Sequence, residues 1–254
     1  MFSATRRLLP LAQRTAVRAS VAPVVVLRAT TNKMTRVAWL STSRVMAQSA
    51  ASADIELAAT LAKELKYERE NADASAPEFL KRFQAKKTFS VTDKPGENEV
   101  SLTREYGDEK ITITFSIDDV ANAEPTSESP DAPVSYPVSA VITITRPGMP
   151  AAGAITFQSI CEEGAFQVTN VTYTDDAVLA ALDTAEADYK RRGTYMGPVF
   201  DELDDTLADA YYAFLEERGV SAEVAEFIPE YIEYKEQNEY VRWLEKVKSF
   251  VERK

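Results

Sequence analysis

Two periodicities alternate along the chain. Between residues 54 and 71 the apolar positions Ile55, Ala58, Leu61, Ala62 and Leu65 recur at the spacing of one helical face. Asp54 stands where a carboxylate would cap the first turn. After a polar break containing Pro77, the stretch "EFLKRFQ" predicts a short further turn of helix. From residue 87 to residue 174 the period becomes two. "EVSLTREY" places Val100, Leu102, Arg104 and Tyr106 on one face, and "KITITFSI" does the same with Ile111, Ile113, Phe115 and Ile117. Gly107 and Asp108 between them suit a two-residue hairpin turn, so the two strands are antiparallel neighbours. Strands are also predicted at "KTFSVTD", at "YPVSAVITIT" from Tyr136, at "AITFQSIC" from Ala154 and at "AFQVTNVTY" from Ala165, which makes six.

The helical period then returns. In "FDELDDTLADAYYAFLEERG" the residues Leu203, Leu207, Ala210, Tyr211 and Phe214 fall on one predicted buried face, and Gly219 is placed as a C-cap. Ser221 can open a following helix, in which Pro229 predicts a kink or break. The run "NEYVRWLEKVKSFVERK" repeats helically through Tyr240, Trp243, Leu244, Val247, Phe250 and Val251. Lys246, Lys248, Arg253 and Lys254 near its end suit the negative pole of the helix dipole. This order of elements predicts an α+β fold. An acidic loop at 118–133, poor in hydrophobic residues and rich in proline, interrupts the sheet and reads as a solvated spacer in preference to a binding tail.

Charge is distributed unevenly. The 254 residues hold 40 acidic and 29 basic side chains, a formal charge of −11. Residues 1–53 contain no Asp or Glu but eight of the basic residues, which leaves 21 basic against 40 acidic residues beyond them, a charge of −19. That first segment, with its Ser, Thr and Ala and its apolar residues broken up by arginines, reads as a mitochondrial transit peptide over 1–47. A secretory signal fits less well, because the apolar run "VAPVVVL" is short, holds a proline and is followed by more basic residues. The remaining divisions are a helix and linker at 48–86, the sheet at 87–178 and a helical region at 179–254, with 54–254 forming one domain. No stretch approaches the roughly 18 unbroken apolar residues of a membrane span.

The carboxylates Asp201, Glu202, Asp204, Asp205 and Asp209 raise three possibilities: catalysis, metal binding or an acidic surface. On a continuous helix, Asp201, Glu202, Asp205 and Asp209 would fan across the side opposite Leu203 and Phe214, on a wet surface where no pocket drives two pKa values apart. "DELDDTLADA" lacks the glycine that an EF-hand loop requires. The chain has no histidine, so its single cysteine, Cys161, has no imidazole partner and reads as a small packed residue. No phosphate-cradling glycine loop and no nucleophile elbow is present. The acidity itself then carries the most information. It disfavours direct contact with nucleic-acid backbones and anionic membranes and attracts basic proteins, although it also serves solubility.

With "YMGPVFDELDDTLADAYYAFLEERGV" and "FIPEYIEYKEQNEYVRWLEKVKSFV", the sequence resembles the mitochondrial acidic matrix protein family, also called the mitochondrial glycoprotein family. The resemblance extends over residues 54–254 and is most specific in the last sixty. It implies a twisted antiparallel sheet of seven strands, the seventh near 195–198, flanked by one N-terminal and two C-terminal helices and assembled as a ring-shaped homotrimer. It further implies a non-enzymatic matrix protein without a cofactor or metal. Such a protein would bind or chaperone basic proteins of mitochondrial translation or ribosome assembly, support oxidative phosphorylation and reach RNA only through them. No family motif can be carried over position by position, so the five carboxylates remain the candidate partner-binding face. The rival functions are a respiratory-complex assembly factor with one fixed partner and a histidine-free carboxylate enzyme.

Overall fold

The computed structural model describes residues 42–71, 76–119, 137–149, 152–182, 184–191 and 193–252. The chain divides into two units, Met1–Ala47 and Gln48–Lys254. All contacts described below belong to the second. The transit-peptide reading falls almost wholly outside the described residues, as do positions 120–136 of the acidic loop and its flank.

Six strands follow one another as an antiparallel meander: β1 (Ser90–Asp93), β2 (Glu99–Tyr106), β3 (Glu109–Ser116), β4 (Val138–Thr145), β5 (Ala154–Glu162) and β6 (Ala165–Thr174). The β2–β3 register pairs Val100 with Phe115 and Leu102 with Ile113 around the turn at Gly107–Asp108, as the alternation predicts. One face of the sheet is dry, with Val100, Leu102, Ile111, Ile113, Ile142 and Phe157 fully buried. The other face is uncharged along a row in which Thr103, Thr112, Thr143, Thr156 and Thr172 are successive cross-strand partners.

Helices accompany the sheet, and those that join its core do so on the dry face. The helices are α1 (Thr42–Asn71), α2 (Glu78–Lys86), the short α3 (Ala177–Ala181) and α4 (Ala185–Arg191), then α5 (Asp205–Glu217) and α6 (Ala222–Glu252). Phe227, Ile228, Tyr231 and Ile232 of α6 join the sheet core, and Phe83 of α2 stacks on Phe227 with ring centroids 3.7 Å apart. A smaller cluster joins Leu61 and Leu65 of α1 to Leu244 of α6.

Four expectations need correction. Helix α1 starts at Thr42, so Asp54 lies inside it and caps nothing; residues 42–53 contain no Gly or Pro to stop the helix. Pro229 does not break α6, which runs continuously from Ala222 to Glu252. Burial of Phe227, Ile228, Tyr231 and Ile232 on both sides of the proline offsets a cost of about 3 kcal/mol. Trp243 and Phe250 share the helical period of α6 but are 54% and 79% exposed in the single chain. Finally, the segment at 195–198 forms no strand and is followed by a single antiparallel bridge between Asn170 and Val199. Gly197 adopts φ +80°, where a side chain would collide with the Val171 carbonyl, and Pro198 has no N–H to donate, so a ladder cannot extend there.

Candidate functional site

The five carboxylates do not lie on one helix. Phe200–Glu202 is a single 3₁₀ turn held inward by the buried Phe200, and it carries Asp201 and Glu202. Leu203 and Asp204 are extended. Asp204 then caps α5, its Oδ1 accepting a hydrogen bond from the Thr206 N–H at 3.0 Å. Asp205 and Asp209 are the two that α5 itself bears. Within α5 the inward stripe is Ala208, Tyr211, Phe214 and Leu215, so Leu207 and Ala210, expected inside, are exposed. All five carboxylates are exposed. None forms an ion pair with a lysine or arginine among the described residues.

Other carboxylates are tied down by internal cations, Glu109, Asp93 and Glu239 among them. Glu109, at the start of β3, is buried between two arginines. Its Oε2 accepts a hydrogen bond from Arg218 Nε at 2.7 Å, and its Oε1 accepts from Arg146 Nη2 at 3.0 Å and Arg218 Nη2 at 3.3 Å. Burial pushes the Glu109 carboxyl upward, but the bonds from Arg218 and Arg146 outweigh it and hold the group below its ordinary value. The Arg218 guanidinium lies 3.4 Å from the Phe214 ring centroid, and Arg104 Nη1 donates to the Arg218 carbonyl at 2.7 Å. This knot fixes the α5–α6 corner to the β2–β3 hairpin. The corner is closed by Gly219 at φ +82°, a position where a side chain would overlap Arg104.

A second knot sits under α6. Lys235, 1% exposed, reaches Asp93 Oδ1 at 2.5 Å and Glu239 Oε1 at 3.6 Å. Tyr231 donates its hydroxyl to Asp93 Oδ2 at 2.9 Å, and burial together with that carboxylate raises the phenol above its ordinary pKa. The backbone N–H of Gly96 donates to Glu239 Oε1 at 2.9 Å, so the β1–β2 turn is pinned to the helix. The acidic loop is anchored similarly at its start: Asp119 Oδ2 accepts from the Ser139 N–H at 2.7 Å, and Asp118 Oδ1 accepts from Asn98 at 2.7 Å.

Each knot ties a helix, or the residue that caps it, to the sheet. Among the described residues no three His, Cys, Asp or Glu side chains are grouped closely enough to hold a metal ion. Cys161 is fully buried on β5, and burial pushes its thiol up to about 12. No described helix is long and apolar enough to cross a membrane.

A model of the mitochondrial glycoprotein family, MAM33, matches residues 61–251. The chain belongs to that family. It is 30% identical over 185 residues to the mitochondrial acidic protein mam33 of Schizosaccharomyces pombe, which covers 64% of this chain and 68% of that one. It is 31% identical over 178 residues to an uncharacterised mitochondrial protein of Arabidopsis thaliana, covering 65% and 62% respectively. Its fold resembles the crystal structure of the Trypanosoma brucei p22 protein with a TM-score of 0.63 at 26% identity, covering 79% of this chain and 99% of that one. These matches establish the α+β fold and a mitochondrial location.

Proposed function

We propose that this mitochondrial glycoprotein family member is a non-enzymatic acidic adaptor of the matrix, delivered by residues 1–47 and holding basic client proteins soluble until they assemble. The observation that carries this reading is the contrast between carboxylates. Glu109, Asp93 and Glu239 are consumed by internal cations, whereas Asp201, Glu202, Asp204, Asp205 and Asp209 face outward without one. Added to a charge of −19 beyond residue 53, they give a surface that steers lysine- and arginine-rich partners towards it. Proteins of mitochondrial translation, ribosome assembly and oxidative phosphorylation are clients of suitable charge.

Assembly as a ring-shaped homotrimer belongs to the same proposal. It is supported by the uncovered apolar side chains of α1 and α6, Ile55, Leu57, Trp243 and Phe250, which a single chain leaves in water. The uncharged threonine row offers a further face on which copies of a strongly acidic chain meet without repulsion.

Titration of the full chain with fluorescent polylysine tests the charge mechanism. Affinity is expected to fall steeply as ionic strength passes the point where the Debye length is about 10 Å. Replacing the five carboxylates together by Asn and Gln should weaken binding and flatten its salt dependence, while Asp205→Asn alone does little. Binding indifferent to salt would overturn the reading.

A further inference from the structure

Asp205, Asp209, Tyr212 and Glu216 are spaced i, i+4, i+7 and i+11, so they form one exposed stripe of α5. Near the end of the helix this stripe meets the β5–β6 turn at Gly164 and the start of α6, and the three enclose an open groove of about 400 Å³. Phe166, Tyr212, Ala213, Leu215 and Val220 make its wall predominantly apolar, and no Lys or Arg lines it. Glu216 stands within the wall. Glu226 lies beside Gly164, its Cγ 3.2 Å from where a β-carbon of that residue would be, and Glu163 precedes Gly164 in the turn. Glu163, Glu216 and Glu226 have no ion-pair partner among the described residues. The Tyr212 ring is fixed: its hydroxyl accepts a hydrogen bond from the Val168 N–H at 3.2 Å, and Phe200 meets it edge-on at 5.7 Å.

We propose that this groove seats an apolar side chain of a basic client segment. Flanking lysines or arginines engage Glu163, Glu216 and Glu226 and continue along α5 to Asp209 and Asp205. This rests on the client-holding reading and deepens it, since the surface then selects cations interleaved with leucine- or phenylalanine-like residues, not cations alone. The geometry points to that chemistry from two sides. A purely cationic segment would leave the apolar wall wet. A purely apolar one would crowd three carboxylates without compensating their desolvation. The fixed Tyr212 ring gives a cation an aromatic face and gives an apolar side chain a rigid floor. Nucleic acid is disfavoured at the groove by the same carboxylates.

Fluorescence anisotropy with the full chain and two labelled peptides tests this: one with lysines flanking a pair of leucines, the other identical in charge with serines for leucines. The leucine peptide is expected to bind about tenfold tighter or more, the gain from burying one such side chain. Ala213→Arg, which fills the groove with a cation, should reduce the leucine peptide to the affinity of the serine peptide, and Glu216→Lys should do the same if Ala213→Arg fails to fold. Glu56→Lys, the same charge reversal on α1, should leave the preference intact. Equal binding of the two peptides by the native chain, or an unaltered preference in the groove variants, overturns the groove proposal. If both peptides bind equally in a salt-dependent way, the basic-client reading stands and the groove falls. If neither binds, both fall. Loss of the preference upon self-association of the chain would show that a second copy covers the groove, and would also refute the proposal.

Discussion

Glu109→Ala tests the claim that the α5–α6 corner is held by charge in addition to apolar packing. The Glu109 side chain is 5% exposed and that of Arg218 10% exposed. Removing the carboxylate takes two charge-assisted bonds from Arg218 and leaves its guanidinium with the Phe214 carbonyl at 3.0 Å, the nearby aromatic rings and the exposed Glu217 carboxylate at 3.8 Å, too far for a hydrogen bond. Stranding a buried charge in this way costs about 3 to 5 kcal/mol. For a unit of this size that corresponds to a fall in melting temperature on the order of 10 °C, measured by circular dichroism at pH 7. Because the folded-state pKa of Glu109 is depressed, its contribution is full above the ordinary carboxylate value of 4.5 and is lost as pH falls through the folded value. The stability gap between the native chain and Glu109→Gln should therefore close on acidification. A paired replacement by apolar residues, Glu109→Leu with Arg218→Met, should recover most of the loss. A drop in stability below about 1 kcal/mol for Glu109→Ala would mean that Arg218 rehydrates easily and that the corner is held by packing alone.

The second buried knot should respond asymmetrically: Asp93→Ala leaves the buried Lys235 ammonium with only the longer contacts to the Glu239 carboxylate at 3.6 Å and the Lys94 carbonyl at 3.4 Å and costs about 3 kcal/mol, whereas Lys235→Met leaves a carboxylate that water can reach and costs less. Equal losses in urea denaturation would contradict that difference. Cys161, buried and with its thiol raised to about 12, should resist alkylation at pH 8 until the chain unfolds. Fast labelling of the native chain would show an opening of β5 that the structure lacks. Trp243→Ala should cost roughly 1 kcal/mol or less in a dissociated chain, given its exposure, but should shift sedimentation equilibrium towards lower mass. An unchanged mass distribution would remove α6 from any self-association surface.

The sheet was legible because its inward positions alternate strictly and its dry face admits few exceptions. The same alternation held a signal that was easy to pass over. Glu109 sits in phase with Ile111, Ile113 and Phe115, so a charged residue was already placed on the dry face and required a partner. Arg218 follows Leu215 by three positions, and Lys235 follows Ile232 by three, so each continues a buried helical stripe. Neither Glu109 nor Lys235 was given a partner from the sequence alone, and both knots went unseen. The candidate carboxylates were legible as residues but not as an arrangement, since nothing in "FDELDDTLADA" announces that Leu203 and Asp204 are extended. The groove at Gly164 was beyond the sequence because it joins a hairpin turn to a helix corner more than forty residues away.

The most direct test of the central claim is capture from mitochondrial matrix extract, with the full chain as bait and elution in steps of rising salt. Release of a set of basic translation or ribosomal proteins at moderate salt, and its loss when the five outward carboxylates are neutralised, is the expected result. Retention of a single neutral partner through high salt, or of nothing, would contradict it and leave the acidity as a matter of solubility.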